Sequence, residues 1–161
     1  MEKVYILDTS ALISHPGLLE GLTVKEVLAE AKSSAARLRS TLLKVQEPSA
    51  VSLEKVSKLA KKTGDKLSEA DLKLLALALD LKREGKVPEI LTDDYSIQNL
   101  ASVLGIRFSS VGEKGIKKVF RWVSSCPLCG KTFSPSESEC RFCGSQLKRR
   151  PLKLTRKTLE G

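Results

Sequence analysis

The stretch Val4–Ile13, with the sequence VYILDTSALI, decides which fold this chain can adopt. Apolar and β-branched residues lead directly into one acid, Asp8, and a second apolar run follows Thr9 and Ser10. A continuous apolar run of this kind is typical of the central strand of a parallel sheet, buried on both faces. Asp8 then lies at the carboxyl end of that strand, which is where open α/β sheets bind their ligands.

The composition fits one globular domain with a small module attached. The chain has 161 residues, which is enough for a domain of typical size and a sizeable core. No apolar run reaches the roughly 18 residues needed to cross a bilayer, and the first residues carry no targeting pattern. We therefore expect a soluble cytoplasmic protein.

Positive charge is concentrated in the C-terminal part of the chain. Of the formal net charge of +9, residues 1–116 contribute little, with 17 Lys and Arg against 16 Asp and Glu, whereas residues 117–161 hold 11 against 3. This asymmetry favours a nucleic acid partner over a membrane, because no amphipathic basic helix accompanies it. A tail that only improves solubility is the alternative.

Strands and helices alternate through the first two thirds of the chain. Further strands are predicted at Leu22–Val24, Pro88–Thr92 and Ile106–Phe108, with a short edge strand at Ala50–Ser52. Helices are predicted from the capping-box pattern at Thr23 and Glu26 to Leu42, and at Leu53–Thr63, Ser68–Glu84 and Ser96–Leu104. Such alternation implies right-handed crossovers and a parallel sheet, so the predicted fold class is α/β.

Acids follow two of the predicted strands. Asp8 ends the first strand, and Asp93 and Asp94 follow the strand Pro88–Thr92. If these strands are neighbours the carboxylates converge, and they must then be protonated or neutralised by cations. Because His15 is the only histidine and the thiols lie elsewhere, the ligands would be oxygen atoms, which select Mg²⁺ or Mn²⁺.

Some of these acids also have a structural interpretation. Asp71 stands three residues after Ser68, where it completes a capping box. One of Asp93 and Asp94 can cap the helix that begins near Ser96. Asp8 has no such role, because an acid that ends a buried strand gains nothing from capping, and we interpret it as functional.

The predicted long helix carries two glutamates whose expected roles differ. Glu26 is accounted for by the capping box with Thr23. Glu30 lies one turn further on, has no capping role and flanks the apolar stripe more closely. Glu30 is thus the better candidate to reach the acid cluster. His15, between a turn serine and a proline, is interpreted as an ordinary loop residue.

Four acids in this order resemble the PIN-domain nucleases over about residues 1–110. The matching segments are DTSALI with Asp8, VLAEA with Glu30, LSEAD with Asp71, and LTDDY with Asp94. The resemblance implies an α/β/α sandwich around a central parallel sheet, whose acids bind Mg²⁺ or Mn²⁺ and activate water to cleave RNA. It makes Asp8, Glu30, Asp71 and Asp94 the candidate metal ligands.

Asp93 is an additional candidate catalytic acid. The last aspartate of the family usually sits two residues after a threonine, which matches Asp94. Two other families with an aspartate after the first strand match less well. Phosphatases of the haloacid dehalogenase type need a second acid where Ser10 stands, and response-regulator receivers need an acid pair after their first strand, where only Asp8 is present.

All four cysteines lie in two C-x-x-C-G knuckles, which hold Cys126 and Cys129, and Cys140 and Cys143. Paired thiolates at this spacing are typical of a structural zinc ribbon with one closed tetrathiolate site and no open position for water. A disulfide or redox interpretation requires an oxidising compartment or an isolated C-x-x-C motif. The bound zinc would reduce the formal positive charge of this segment by about two.

Basic and aromatic residues accompany the knuckles, and a basic tail follows them. The aromatics are either the core of this small module or exposed platforms for stacking on bases. The residues concerned are Arg121, Trp122, Lys131, Phe133, Arg141 and Phe142, followed by Lys148, Arg149, Arg150, Lys153, Arg156 and Lys157.

A PIN domain followed directly by a four-cysteine ribbon resembles, over nearly the whole chain, the Nob family (Nin-one-binding protein). The segment DYSIQN from Asp94 to Asn99 is similar to the family's stretch after its last aspartate. The resemblance implies an endonuclease that matures the 3′ end of small-subunit ribosomal RNA within the pre-small-subunit particle, with possible protein partners. The short chain resembles archaeal members.

The predicted domains are a PIN-like nuclease domain at 1–110, a linker at 111–118, a zinc ribbon at 119–150 and a basic tail at 151–161. Two other classes of function are open from the residues alone. One is a zinc-ribbon RNA-binding assembly factor whose acids only cap helices. The other is a zinc-ribbon protein that binds DNA, which a comparison of RNA and duplex DNA affinities at fixed salt distinguishes.

Overall fold

A computed structural model describes residues 2–14, 20–30, 43–111 and 120–153. The first three ranges contain five strands and five helices. The strands are β1 (Lys3–Leu7), β2 (Gly21–Thr23), β3 (Leu43–Val45), β4 (Val87–Leu91) and β5 (Arg107–Ser109). The helices are α1 (Thr9–Ser14), α2 (Lys25–Glu30), α3 (Ala50–Thr63), α4 (Glu69–Arg83) and α5 (Tyr95–Leu104).

The five strands form one parallel sheet in the order β3-β2-β1-β4-β5. The predicted central position of β1 is confirmed, and Leu7 is in register with Leu91 of β4. Burial is complete only at the carboxyl end of β1, since Ile6 and Leu7 are buried whereas Tyr5 is 38% exposed. The two strands that precede acids are therefore neighbours.

Helix α4 provides much of the core. Its predicted capping box is confirmed: Ser68 Oγ accepts from Asp71 N at 3.2 Å, and Asp71 Oδ2 accepts from Ser68 N at 2.9 Å. The helix is apolar almost all round, and residues 74–79 and 81 are buried, as expected for a helix covered by other elements. This cap fixes the first turn of α4, which carries Asp71.

The prediction of an edge strand at Ala50–Ser52 is wrong, because these residues form the first turn of α3. Ser49 caps that helix, and its Oγ accepts from Ser52 N at 3.2 Å. Asp80 on α4 accepts hydrogen bonds from Ser49 N and Ser52 Oγ, which fixes this helix start. The edge strand is instead β3, the neighbour of β2.

The predicted capping box between Thr23 and Glu26 is also wrong. Thr23 is the last residue of β2, and its hydroxyl donates to the carbonyl of Leu7 at 2.9 Å. Helix α2 is described from Lys25 to Glu30. The rest of the predicted long helix, with Lys32, Arg37 and Arg39, lies outside the described residues, as does His15.

The C-terminal part forms a separate antiparallel sheet in the order β7-β6-β8. Its strands are β6 (Phe120–Ser125), β7 (Thr132–Phe133) and β8 (Lys148–Lys153). β8 extends three residues into the segment expected to be tail, and it pairs with β6 along its whole length. None of the helices described is long and apolar enough to cross a membrane.

Candidate active site and thiol cluster

Asp8 lies where β1 and β4 end side by side. Its backbone N–H donates to the carbonyl of Leu91 at 3.3 Å, which continues the pairing of the two strands by one residue. The residue is only 5% exposed. Because parallel neighbouring strands end at the same edge of a sheet, Asp8 and the acids after β4 meet there.

Three hydrogen bonds hold the Asp8 carboxylate in place. Oδ1 accepts from Ser10 Oγ at 2.6 Å and from Ala11 N at 3.0 Å, and Oδ2 accepts from the Thr92 hydroxyl. Sequence reasoning missed the roles of Ser10 and Thr92. A hydroxyl two residues after an acid is a local signal for Ser10, whereas the contact of Thr92 depends on strand pairing.

The Asp8 carboxyl is held in an environment that disfavours its charged form. Burial raises its pKa above the ordinary value. Hydrogen bonds from Ser10, Thr92 and Ala11 act in the opposite direction, and the negative charge of Asp71 adds to the increase. A carboxylate in this position is stabilised by a nearby cation.

Asp71 caps α4, as one of the two interpretations of the sequence predicts, and it also lies within reach of the charges of other acids. Its Oδ2 belongs to the capping box of α4, yet the residue is half-buried and electrostatically coupled to the other acids. Burial raises the pKa of Asp71, hydrogen bonds with Ser68 lower it, and the charges of Asp94 and Glu30 raise it further. Capping therefore orients this acid within a group of like charges.

Asp93 and Asp94 have different contacts. Asp94 caps α5, and its Oδ1 accepts from Ser96 N at 2.8 Å and from Ile97 N at 3.3 Å. Asp93 Oδ1 accepts from Val111 N at 2.6 Å, beyond the end of β5. Because it is the charge of Asp94 that acts on Asp71, the geometry favours Asp94 as a member of the acid cluster.

Glu26 and Glu30 lie on the same face of α2, one turn apart. Glu30 Oε2 accepts from Thr9 Oγ1 at 3.0 Å, next to Asp8, and its charge acts on Asp71. Glu26 instead forms an ion pair with Lys73 of α4. The structure thus brings Glu30, rather than Glu26, to the other acids.

Lys73 joins α2 to the first turns of α4, a contact that sequence reasoning did not find. Its Nζ also lies 2.9 Å from Glu47 Oε1, and its side chain is only 13% exposed. Burial acts to raise the pKa of Glu26, but the hydrogen bond and charge of Lys73 outweigh it and lower the value. Glu26 Oε2 is buried with no hydrogen-bond partner in the described chain.

The acid cluster, defined as Asp8, Glu30, Asp71 and Asp94, is open rather than closed. Among the described residues, only the four thiols have ligand atoms that all lie within 4.8 Å of one another. For each of Glu30, Asp71 and Asp94, one oxygen is hydrogen-bonded and the other accepts no hydrogen bond from the described chain. These oxygens suit a hydrated divalent cation that also binds substrate.

The thiol cluster, defined as Cys126, Cys129, Cys140 and Cys143, has the dimensions of a metal site. Two Sγ separations are 3.3 Å and 3.7 Å, close to the roughly 3.8 Å expected for tetrahedral ligands about 2.3 Å from a metal. All four cysteines are free. Hydrogen bonding with Ser145 lowers the pKa of Cys143 to about 6, which favours the thiolate.

Among the aromatic residues of the ribbon, Phe142 fits one of the two expected roles, whereas Trp122 has neither. Phe142 is 68% exposed, tilted against Phe133 at 6.3 Å between ring centroids, with Lys131 Nζ 3.4 Å from its centroid. Trp122 is half-buried and contacts Asp65 of the nuclease domain at 3.2 Å. Phe142 is thus available for stacking, whereas Trp122 belongs to an interface between domains.

A parallel sheet in the order β3-β2-β1-β4-β5, with acids after β1 and β4, has the architecture expected of a PIN-domain nuclease. The family described as "PIN domain of ribonuclease" matches residues 5–81. The chain is 41% identical over 150 residues to Endoribonuclease Nob1 of Archaeoglobus fulgidus, covering 89% of each protein. The chain belongs to the Nob1 endoribonuclease family, in its archaeal form.

Two further relatives extend the similarity through the ribbon. Endoribonuclease Nob1 of Pyrococcus abyssi is 41% identical over 154 residues, with 89% of this chain and 91% of the relative covered. Endoribonuclease Nob1 of Methanocaldococcus jannaschii is 38% identical over 161 residues, with 94% and 79% covered. Both alignments are too long for the PIN domain alone, so the combination of domains is shared.

Proposed function

We propose that the protein is a metal-dependent endoribonuclease that cleaves precursor small-subunit ribosomal RNA at its 3′ end during ribosome assembly. The observation that carries the proposal is the convergence of Asp8, Glu30, Asp71 and Asp94 at the carboxyl edge of the sheet. Burial and mutual repulsion raise the pKa of Asp8 and Asp71. Such a group favours a divalent cation over a monovalent one.

The acid cluster would hold Mg²⁺ or Mn²⁺ through Asp8 and through the oxygens of Glu30, Asp71 and Asp94 that accept no hydrogen bond from the described residues. When bound, such an ion lowers the pKa of water and stabilises charge on the phosphate. Ser10 and Thr92 fix the Asp8 carboxylate, and Ser68 fixes Asp71. Because these donors already fix the carboxylates, the acids need not reorient when RNA binds.

Attack by water would leave a 5′-phosphate and a 3′-hydroxyl on the products. Attack by the 2′-hydroxyl of the RNA would instead leave a cyclic phosphate. The acids can hold a divalent ion, which is the group that makes water a nucleophile at neutral pH. We therefore infer hydrolysis by water.

The thiol cluster would bind one structural zinc ion. Thiolates in a closed set of four select zinc among common divalent metals and leave no position for substrate. The ribbon, with Lys131, Arg141, Arg149 and Arg150, carries the positive charge that suits RNA phosphates. Chemistry and much of the binding would then belong to different domains.

The test is cleavage of a ribosomal RNA fragment that spans the mature 3′ end, with and without added Mn²⁺ or Mg²⁺. Asp71→Asn keeps an acceptor for the Ser68 cap but loses its charge, and we expect cleavage to fall by several orders of magnitude. Glu69→Gln is the matched control, since Glu69 lies in the same turn and is 75% exposed. Equal activity of the two variants would refute the assignment.

A further inference from the structure

The two domains meet at a buried carboxylate, Asp65, in the loop between α3 and α4. Its Oδ2 accepts from Thr63 Oγ1 at 2.7 Å and from Asn99 Nδ2 at 2.8 Å, both in the nuclease domain. Its Oδ1 accepts from Nε1 of Trp122, on β6 of the ribbon, at 3.2 Å. Because Asp65 is only 8% exposed, a ribbon residue satisfies a buried acid of the other domain.

Arg149, on β8, makes the second contact across this seam. Its guanidinium stacks on the Trp122 ring, 4.3 Å from the centroid, and donates to the carbonyl of Gly64. Burial raises the pKa of Asp65, whereas its three hydrogen bonds and the charge of Arg149 act to lower it. A buried acid that depends on one donor and one cation from the ribbon opposes separation of the domains.

Gly64 shows how closely the ribbon approaches α3. It ends this helix with φ of +75°, a conformation that favours glycine. A Cβ at this position would lie 2.8 Å from Trp122 Cβ and 2.8 Å from Pro135 Cγ, both in the ribbon. The seam is thus a packed contact with no space for an added methyl group.

A basic groove runs along the seam. A cavity of about 730 Å³ there is lined from the nuclease domain by Lys61, Asp65, Lys66 and Leu72, and from the ribbon by Pro135 and Arg149. The charge of Arg149 offsets that of Asp65, so the two lysines supply the excess positive charge. Lys61 and Lys66 are exposed, and no ion pair involves them in the described parts of the chain. Leu72 adjoins Asp71 in sequence, so the groove reaches from the ribbon to the helix turn that carries a site acid.

We propose that Asp65, Trp122 and Arg149 hold the ribbon in one orientation on the nuclease domain, and that the groove along this seam binds the phosphate backbone of the RNA substrate. Asp65 is then a positioning residue, since it acts through the ribbon and not on the reacting atoms. The identity of the ligand as RNA rests on the proposed function. The fixed orientation does not, because it follows from contacts within the chain.

The fixed orientation is tested by ¹⁵N relaxation on the full zinc-loaded chain. In the wild type, residues 43–111 and 120–153 should show one rotational correlation time. Gly64→Ala should separate the two values, because its methyl group collides with the ribbon. Gly85→Ala is the matched control: its φ is +84°, and its Cβ would meet nothing within 4 Å.

Trp122→Phe provides a milder second variant, which keeps an aromatic ring and removes the donor to Asp65. We expect it to shift the amide signals of Asp65 and Asn99 and to loosen the ribbon. Separate correlation times in the wild type, or a single value in both Gly64→Ala and Trp122→Phe, would overturn the proposed fixed orientation. None of these measurements requires cleavage. A negative result would therefore overturn the fixed orientation without bearing on the proposed nuclease function.

The groove is tested by salt titrations of binding to a short unstructured oligouridine without divalent metal. Replacing both Lys61 and Lys66 by glutamine should reduce the slope of log K against log salt by about 0.7 for each phosphate that the variant no longer neutralises. Lys55→Gln, on the exposed side of α3, should leave the slope unchanged. In cleavage assays the double variant should raise KM and keep kcat. An unchanged slope in the double variant, or no binding by the wild type, would overturn the groove as an RNA site.

Discussion

The thiol cluster and the acid cluster are both candidate metal sites, yet the chain builds them in opposite ways. The four sulfurs lie within 4.8 Å of one another in a small sheet with little apolar core. The acids converge at one edge of a sheet with a large core without forming a closed set, and each accepts hydrogen bonds from the protein.

The two clusters differ because the metal proposed for each has a different role: one stabilises the fold and the other takes part in cleavage. A ribbon of this size cannot bury enough apolar surface to fold alone, so the energy of metal binding is part of its folding energy. The nuclease domain folds around its own core and tolerates repulsion among its acids. We therefore expect the loss of one metal to abolish structure and the loss of the other to abolish only chemistry.

The largest expected effect is that of removing the thiol-bound metal. Structural zinc sites contribute about 10–16 kcal/mol in small domains, so a chelator should unfold residues 120–153. In ¹H–¹⁵N spectra, nuclease-domain signals should persist, except near Asp65, which loses Trp122 and Arg149 as partners. Elemental analysis should find one zinc per chain beforehand. Loss of all signals, or disulfides found by mass spectrometry, would contradict separate folding.

A smaller but still large effect should separate Asp94 from Asp93. Asp94→Asn removes a charge from the acid cluster, and cleavage should fall by several orders of magnitude. Asp93→Asn keeps an acceptor for the Val111 amide, and we expect a loss of at most about 10–100-fold, the range typical of residues that only orient ligands. Single-turnover cleavage rates measure both, and the reverse order would exchange their roles.

Variants of the two glutamates of α2 should also differ in cleavage rate, by a smaller factor than the variants of Asp94 and Asp93. Glu30→Gln keeps an acceptor for the Thr9 hydroxyl and removes the charge of a proposed metal ligand, so cleavage should decrease strongly without unfolding. Glu26→Gln keeps an acceptor for Lys73 and weakens an ion pair, which should alter the α2–α4 contact modestly. Cleavage rates and thermal melting are compared for both variants. Equal losses of activity would show that Glu26 also serves the acids.

The smallest effect concerns pH. The pKa of Asp65 is raised in the folded protein, so the folded state binds this proton more tightly than the unfolded state. As pH rises from the ordinary pKa of aspartate through the raised pKa of folded Asp65, this carboxyl lowers the free energy of unfolding. Above the raised pKa its effect on that free energy is constant. In Asp65→Asn, the decrease in melting temperature that Asp65 causes over this pH range should be absent. Identical pH profiles for variant and wild type would exclude it.

The features that the sequence predicted are those with local signals. Apolar runs and periodicity placed β1 and α4, the spacing of Ser68 and Asp71 placed a helix cap, and the cysteine knuckles placed the thiol cluster. The order of acids along the chain indicated the family that the comparisons confirm. Apart from the order of the acids, each signal spans only a few residues, and none of them requires knowledge of the packing.

The features that it missed depend on contacts between distant segments. Ala50–Ser52 has the composition of a strand, but Asp80, about 30 positions later, stabilises it as a helix start. Thr23 had capping spacing, but strand pairing directs its hydroxyl to Leu7. The contact of Asp65 with Trp122 joins two domains, and no local sequence pattern predicts it.

The most direct test of the division between the two clusters is Asp8→Asn, followed in one preparation by zinc content, RNA affinity and cleavage rate. We predict one zinc per chain, affinity equal to or slightly above that of the wild type, since a negative charge is removed, and no cleavage with Mg²⁺ or Mn²⁺. Cleavage by Asp8→Asn at the wild-type rate would mean that the chemistry lies outside the acid cluster, and the proposed division would be wrong.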